Sequence, residues 1–158
     1  ESLLAMARGG FTDQLGAGFH RYSVDARWII PHFEKMSADT GPLLGLYARA
    51  AAALESEELG AVAAGVVAWF RDVAPGLVEA GGFPASQDAD IGFEDDGDYW
   101  TWTEAEVRAA LAADDLAAEA AILRWGVRDP AGAMHLDPRR HVLFQAMRGD
   151  EVAGRLGV

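Results

Sequence analysis

Along this chain, stretches in which apolar residues recur at helical spacing alternate with stretches that have no period, and that alternation predicts the architecture. Leu3, Leu4 and Met6 follow Ser2, a suitable N-cap, and Gly9-Gly10 closes this short first helix. From Phe11 to Ile30 the period vanishes: Gly16, Gly18, Phe11, Phe19, Tyr22, Trp28 and alternating polar residues predict extended or irregular backbone. Pro31 suits the first position of a helix, where its missing N–H costs nothing, and the stretch to about Glu55 reads as helical. Gly41-Pro42 complicates that helix, because an interior proline removes a backbone bond; a second start capped by Thr40 is the competing reading. Glu57 and Glu58 favour the first turn of the next helix, in which Leu59, Val62, Val66, Trp69 and Phe70 keep helical spacing to about Val73. The two helices are expected to run antiparallel.

A second aperiodic stretch extends from Pro75 to Trp102, punctuated by Gly76, Gly81-Gly82, Pro84, Gly92 and Gly97, with a strand-like end at Tyr99-Trp100-Thr101-Trp102. Thr103-Glu104-Ala105-Glu106 matches a capping box and opens a helix to about Ala112; another runs from Asp115 to Trp125 with Gly126 as its stop. Beyond Pro130 the pattern weakens, and Val142-Leu143-Phe144 reads either as strand or as the start of a last helix. Helices supply the scaffold in this order, and two rich loops supply the chemistry.

Composition agrees with a single packed domain: 158 residues, 51% hydrophobic and 24% charged. A net charge of −12 repels phosphate backbones and anionic membranes, so neither nucleic acid nor membrane is an expected partner. The absence of cysteine excludes disulfides, thiolate metal ligands and thiol redox chemistry in this chain, and no metal or cofactor is expected. The apolar runs Ala61 to Phe70 and Leu111 to Trp125 fall short of the roughly 20 residues a membrane span needs. The chain opens Glu1-Ser2-Leu3-Leu4 without an initiator Met, which predicts a piece of something longer, and the lack of an export signal predicts a cytoplasmic location.

Two constellations could carry chemistry. The first gathers His20, Arg21, Tyr22, Asp25, Trp28, His32, Glu34 and Lys35. A histidine titrates near neutrality and can act as acid or base once a carboxylate fixes its tautomer; Asp25 and Asp39 are the available orienters. If Pro31 to Leu43 is one helix, His32, Met36, Asp39 and Leu43 share a stripe, with Lys35 at its edge and Glu34 nearly opposite. The structural alternative is a histidine that pins loop to helix. Lys35 is the sole lysine beside twelve arginines, which fits a site that needs a compact ammonium and equally fits nucleotide bias, since asparagine is absent too. The second constellation is Gln87-Asp88-Ala89-Asp90 followed by Glu94, Asp95, Asp96 and Asp98. It makes a poor calcium loop, because Gly92 stands where a ligand should be, and solvation is the expectation for Glu94 to Asp96. Asp88 and Asp90 would point to one side if extended. Nine of the 15 aromatics lie in the two loops and can line a ligand cleft or form small cores of their own. Flanking carboxylates and flat rings suit glycoside chemistry; a histidine-led shuttle suits sugar epimerisation.

The run Gly9-Gly10-Phe11-Thr12-Asp13-Gln14-Leu15-Gly16-Ala17-Gly18-Phe19-His20-Arg21-Tyr22-Ser23-Val24-Asp25, then Trp28 and Pro31-His32-Phe33-Glu34-Lys35-Met36, resembles the spermatogenesis-associated, thioredoxin-domain-containing proteins and their bacterial YyaL-type relatives. Gly81-Gly82-Phe83, Asp88-Ala89-Asp90 and Tyr99-Trp100-Thr101-Trp102 agree. Ala17 interrupts the usual glycine triplet, Ser37 to Pro42 replaces a more regular helical run, and Ile91-Gly92-Phe93 replaces a Ser-Glu-Gly-type turn. The resemblance implies a thioredoxin-like domain, absent from this chain, followed by an (α/α)-barrel similar to six-hairpin glycosidases and sugar 2-epimerases, of which residues 1–158 form part.

The expectation is therefore a mainly α chain, with helical hairpins forming part of an (α/α)6 toroid and two long loop or β-hairpin insertions. A carbohydrate-binding or carbohydrate-processing role follows, with a sugar or polyol ligand and apolar helix faces covered by self-association or another barrel segment. In the enzymatic form, of glycosidase or epimerase type, His20, Asp25, His32, Asp39, Asp88 and Asp90 do the acid–base work. Arg21, Tyr22, Trp28, Lys35, Trp100 and Trp102 bind the ligand. The alternative is a non-catalytic ligand- or protein-binding module attached to a thioredoxin-like redox domain.

Overall fold

A computed structural model describes residues 1–90, 92 and 97–158. The expectations for Ile91, Phe93 and Glu94 to Asp96 fall outside the described residues. The chain is mainly helical. Helix α1 (Ser2–Arg8) begins one residue earlier than Ser2 as a cap would place it: the cap position is Glu1, and no side chain bonds there.

The largest unit is the hairpin of α2 (Ser37–Leu54) and α3 (Glu57–Asp72), joined only by Glu55 and Ser56. Glu55 closes α2 in the left-handed conformation, and the Ser56 hydroxyl accepts the Leu59 N–H at 3.4 Å to open α3. So short a link folds the two helices back on one another. Between and beside them lies a core of Phe11, Phe19, Tyr47, Leu59 and Val66, which α1 completes through Ala7. The Tyr47 hydroxyl, forced inside with its ring, donates to the Leu3 carbonyl at 2.6 Å.

The Pro31-to-Glu55 helix is not what forms. Residues Tyr22–Ser23 (β1) and Pro31–His32 (β2) pair as an antiparallel hairpin, and Lys35–Met36 (β3) pairs with Ser86–Gln87 (β4). The pairing of β3 holds Lys35 and Met36 extended, and the Ser37 N–H donates to the Ala85 carbonyl at 2.9 Å, so the helix starts only at Ser37. The stripe through His32, Met36, Asp39 and Leu43 therefore does not exist. The Thr40 restart is likewise absent: α2 runs through Pro42, which forfeits one bond to the carbonyl of Ala38, an exposed residue whose freed oxygen is open to water.

The second loop carries a short helix the glycine punctuation hid, α4 (Pro75–Glu79), with Pro75 at its N-terminal edge. Its strand-like end narrows to Thr101–Trp102 (β5), which pairs antiparallel with His141–Val142 (β6), so the segment around Val142 is strand and not a helix start. The Thr103 capping box forms as the sequence reads: Thr103 Oγ1 accepts the Glu106 N–H at 3.2 Å and Glu106 accepts the Thr103 N–H at 2.8 Å. It opens α5 (Glu104–Ala110), followed by α6 (Asp115–Arg124), with Gly126 at φ +68° just beyond. Glu104 and Glu119 are bridged by Arg108 and Arg128. Val107, Ile122, Val127 and Leu143 form the core beneath this hairpin. A last helix, α7 (Gly149–Leu156), packs on α6. Among the described residues no helix is long and apolar enough to cross a membrane.

The small sheets matter more than their size. The β3–β4 ladder fastens the first loop to the second, and β5–β6 fastens the second to the C-terminal third. At Gly10 an added Cβ would lie 2.2 Å from the Ile29 carbonyl oxygen and 2.3 Å from Val142 Cγ1, so only a bare backbone lets these three segments meet.

Candidate functional site

Where the loops are fastened together, the sole lysine is buried. Lys35 is 1% exposed, and its Nζ donates to Asp13 Oδ2 and to the Ala17 carbonyl, both at 2.7 Å. The ammonium also lies 4.5 Å above the Trp100 ring and 5.8 Å from that of Trp69. Asp13 in turn accepts the N–H groups of Leu15 and Gly16 on Oδ1, both at 2.9 Å. Burial opposes ionisation of Asp13, but the Lys35 ammonium and these two amides outweigh it and hold the carboxyl below its usual value. Burial lowers the Lys35 pKa from its ordinary value, with Asp13 opposing.

His20 stands beside the pair, buried and edge-on to both Phe33 and Trp100. Its Nδ1 lies 2.6 Å from the Phe33 carbonyl oxygen. A carbonyl can only accept, so Nδ1 carries the proton and Nε2 presents its lone pair. Burial, reinforced by the Lys35 ammonium, pulls the His20 pKa down to about 4, and the ring is neutral at pH 7. Among the described residues no group is hydrogen-bonded to Nε2. The orienter of His20 is thus a backbone carbonyl, not Asp25 or Asp39.

Asp13 and His20 line a cleft of about 360 Å³, walled by Tyr99, Trp100 and Trp102 from the second loop and by Val142 and Leu143 from the C-terminal third. Asp13, Gly16, Tyr99 and Trp100 separate it from a smaller dent of about 200 Å³ that reaches Lys35, Trp69 and Gln87. There the Trp69 indole N–H donates to Gln87 Oε1 at 2.8 Å, and the Trp100 indole N–H donates to the Ala89 carbonyl at 2.9 Å.

Of the residues singled out from sequence, His20, Lys35, Trp100 and Trp102 come together here. The others do not. Asp25 is spent on its own loop, with its carboxylate accepting the N–H groups of Arg27, Ile29 and Ile30. Trp28, at φ +64°, packs its ring on Phe11 at the edge of the helical core. Tyr22 and His32 stack on each other at 5.0 Å on the exposed face of the β1–β2 hairpin. Arg21 reaches Glu34 at 3.0 Å and Asp39 at 4.0 Å nearby. Asp88 and Asp90 are exposed beyond β4, and the Asp90 N–H donates to Asp88 Oδ1 at 3.4 Å. Phe11 and Phe19 belong to the core, as loop aromatics with small cores of their own would.

Sequence reasoning passed over Asp13 and Trp69 as site residues, named Gln87 only at the head of the acidic constellation, and placed Tyr99 only among the loop aromatics. The sequence signal for Asp13 was only its place inside the long motif of the first loop; the burial of Lys35, which requires an acid beside it, is a property of the fold.

No protein-family model matches the chain. It is 40% identical over 116 residues to human spermatogenesis-associated protein 20, a match that covers 70% of this chain. The mouse protein of the same name is 38% identical over 124 residues, and an uncharacterised Caenorhabditis elegans protein is 55% identical over 47 residues, or 30% of the chain. The chain spans about 14% of the length of the human and mouse proteins and about 6% of the nematode one.

Proposed function

We propose that this chain binds a sugar or polyol in the cleft between its two rich loops, and that it forms part of a larger carbohydrate-binding or carbohydrate-processing (α/α)-toroid preceded in the whole protein by a thioredoxin-like domain. The observation that carries the reading is the neutral His20, fixed as its Nδ1–H tautomer, with Nε2 left without a partner among the described residues in a cleft walled by Tyr99, Trp100 and Trp102. A lone pair that accepts from a hydroxyl, set among flat rings that cover the apolar face of a pyranose, is the pairing that sugar recognition uses. The Asp13–Lys35 pair holds the floor rigid and fixes the local charge.

A conjugate acid near pH 4 makes His20 a hydrogen-bond acceptor at neutral pH and a weak base. Binding is therefore the better-supported form of the proposal. Proton transfer on the sugar would need a second group, and the exposed His32, Asp88 and Asp90 and the half-buried Asp39 are candidates. The covering of its apolar helix faces by self-association or by further barrel segments belongs to the same reading.

The test is a thermal-shift and calorimetric screen of monosaccharides and polyols against the 158-residue chain, with Tyr99→Ala and His32→Ala alongside. Tyr99 is 57% exposed and lines both dents, so its loss should abolish ligand stabilisation without unfolding the protein. His32→Ala should leave stabilisation intact. Stabilisation by no sugar, or its loss with His32→Ala alone, would sink the proposal, and the first outcome favours a protein-binding module serving the thioredoxin-like domain.

A further inference from the structure

Beyond the sugar cleft, on the side away from Lys35, lies a second dent of about 240 Å³ whose lining is wholly apolar, with Val107, Leu111, Ala121 and Trp125 among its residues. It is not a separate feature of the surface. Leu15, Trp102 and Leu143 line both it and the cleft that holds His20, so the two adjoin at those three side chains. Leu15 is 61% exposed and Leu111 37% exposed, leaving apolar surface at the mouth that neither core has absorbed. The floor is the core of α5 and α6, where Val107, Val127 and Leu143 are all buried. The groove thus grades from the Asp13 carboxylate and an unprotonated imidazole nitrogen, through two tryptophans, to pure hydrocarbon.

We infer that the ligand is amphipathic: a glycoside whose sugar sits over His20 and whose apolar aglycone, an alkyl chain or an aromatic ring, fills the pocket between Trp102 and Trp125. This rests on the sugar reading of the cleft and adds the substrate class. The size is sufficient, since an apolar cavity of about 150 Å³ already admits a benzene ring and stays dry when empty. The polarity is decisive, because a free sugar has no apolar end to offer such a wall. A hydrocarbon tethered to a bound sugar, by contrast, reaches it without a second loss of translational freedom.

The experiment is a calorimetric titration of the 158-residue chain with methyl, butyl and hexyl glycosides of glucose, galactose and mannose, with hexanol as the untethered control. Each methylene that enters the pocket should tighten Kd about four-fold, until the pocket is full. Ala121→Trp fills the pocket and should flatten the series while leaving the methyl glycoside unchanged. Ala110→Trp, at an exposed lining position, does the same if the first variant fails to fold. Methyl glycosides that bind with no gain from longer chains would overturn the inference and leave the sugar site standing. Binding of hexanol with no binding of any glycoside would overturn both, as would the absence of all binding.

Discussion

Replacing Lys35 with methionine removes a charge and keeps most of the volume. What it leaves is the Asp13 carboxylate, 13% exposed, facing Trp100 with only the Leu15 and Gly16 amides as donors. Breaking a buried pair from one side costs about 3–5 kcal/mol, because the surviving charge stays uncompensated. Against a total stability of about 5–15 kcal/mol for a domain, that is a large fraction. Asp13→Asn breaks the pair from the other side and keeps an oxygen for the two amides, so its cost should be of similar size. The double variant has no buried charge left, and should be more stable than the sum of the single losses by about 2 kcal/mol or more. Urea unfolding of the four proteins at pH 7 completes the cycle. Arg71→Ala, which breaks the exposed pair with Asp72, should change nothing measurable and serves as control. Additive single losses, or a Lys35→Met cost below about 1 kcal/mol, would show that the ammonium is not held as described.

Two further outcomes follow from the same geometry. The His20 pKa is depressed from 6.5 to about 4, so the unfolded chain binds the proton first; stability is fully present above pH 6.5 and is lost as pH falls to 4. The loss from this group alone is about 3 kcal/mol, and the unfolding free energy of His20→Gln, measured between pH 7 and 4, should fall by that much less than that of the parent; parallel curves would refute it. Among the glycines, Gly10→Ala should destabilise by about 2 kcal/mol or more, because its Cβ meets the Ile29 carbonyl and Val142. Gly154→Ala, in α7 with open space around it, should stabilise by about 0.5–1 kcal/mol, as thermal unfolding would show.

What could be read from the sequence is what local chemistry decides. The α3 face, the Thr103 capping box and the Gly126 stop all depend on residues within a few positions of each other, and all form as read. The misread segment, Pro31 to Met36, was decided by strand pairing against a helical pattern that was locally sound: β1 at Tyr22–Ser23 holds Pro31 and His32 extended, and β4 at Ser86–Gln87, about fifty residues away, holds Lys35 and Met36. The same non-local pairing assembles the site. His20 and Lys35 were visible as chemistry, but the pairing of Lys35 with Asp13 and the placing of the Lys35 ammonium on the Trp100 ring come from loop closure that no spacing reveals. His32 was misplaced by the nearer pairing with β1, which turns it toward Tyr22 and not onto a helix with Asp39. Helix α7 lay beyond the point where apolar period gave any guide.

The cleft is closed by residues far apart in synthesis. Gln145 donates from its backbone to the Arg8 carbonyl at 2.7 Å and from its side chain to Gln14 at 3.3 Å, across 131 positions, while neighbouring Val142 and Leu143 form one wall. The candidate cleft is therefore complete only when residues 142–145 have returned to the first helix, so its last wall depends on a loop closure spanning most of the described chain.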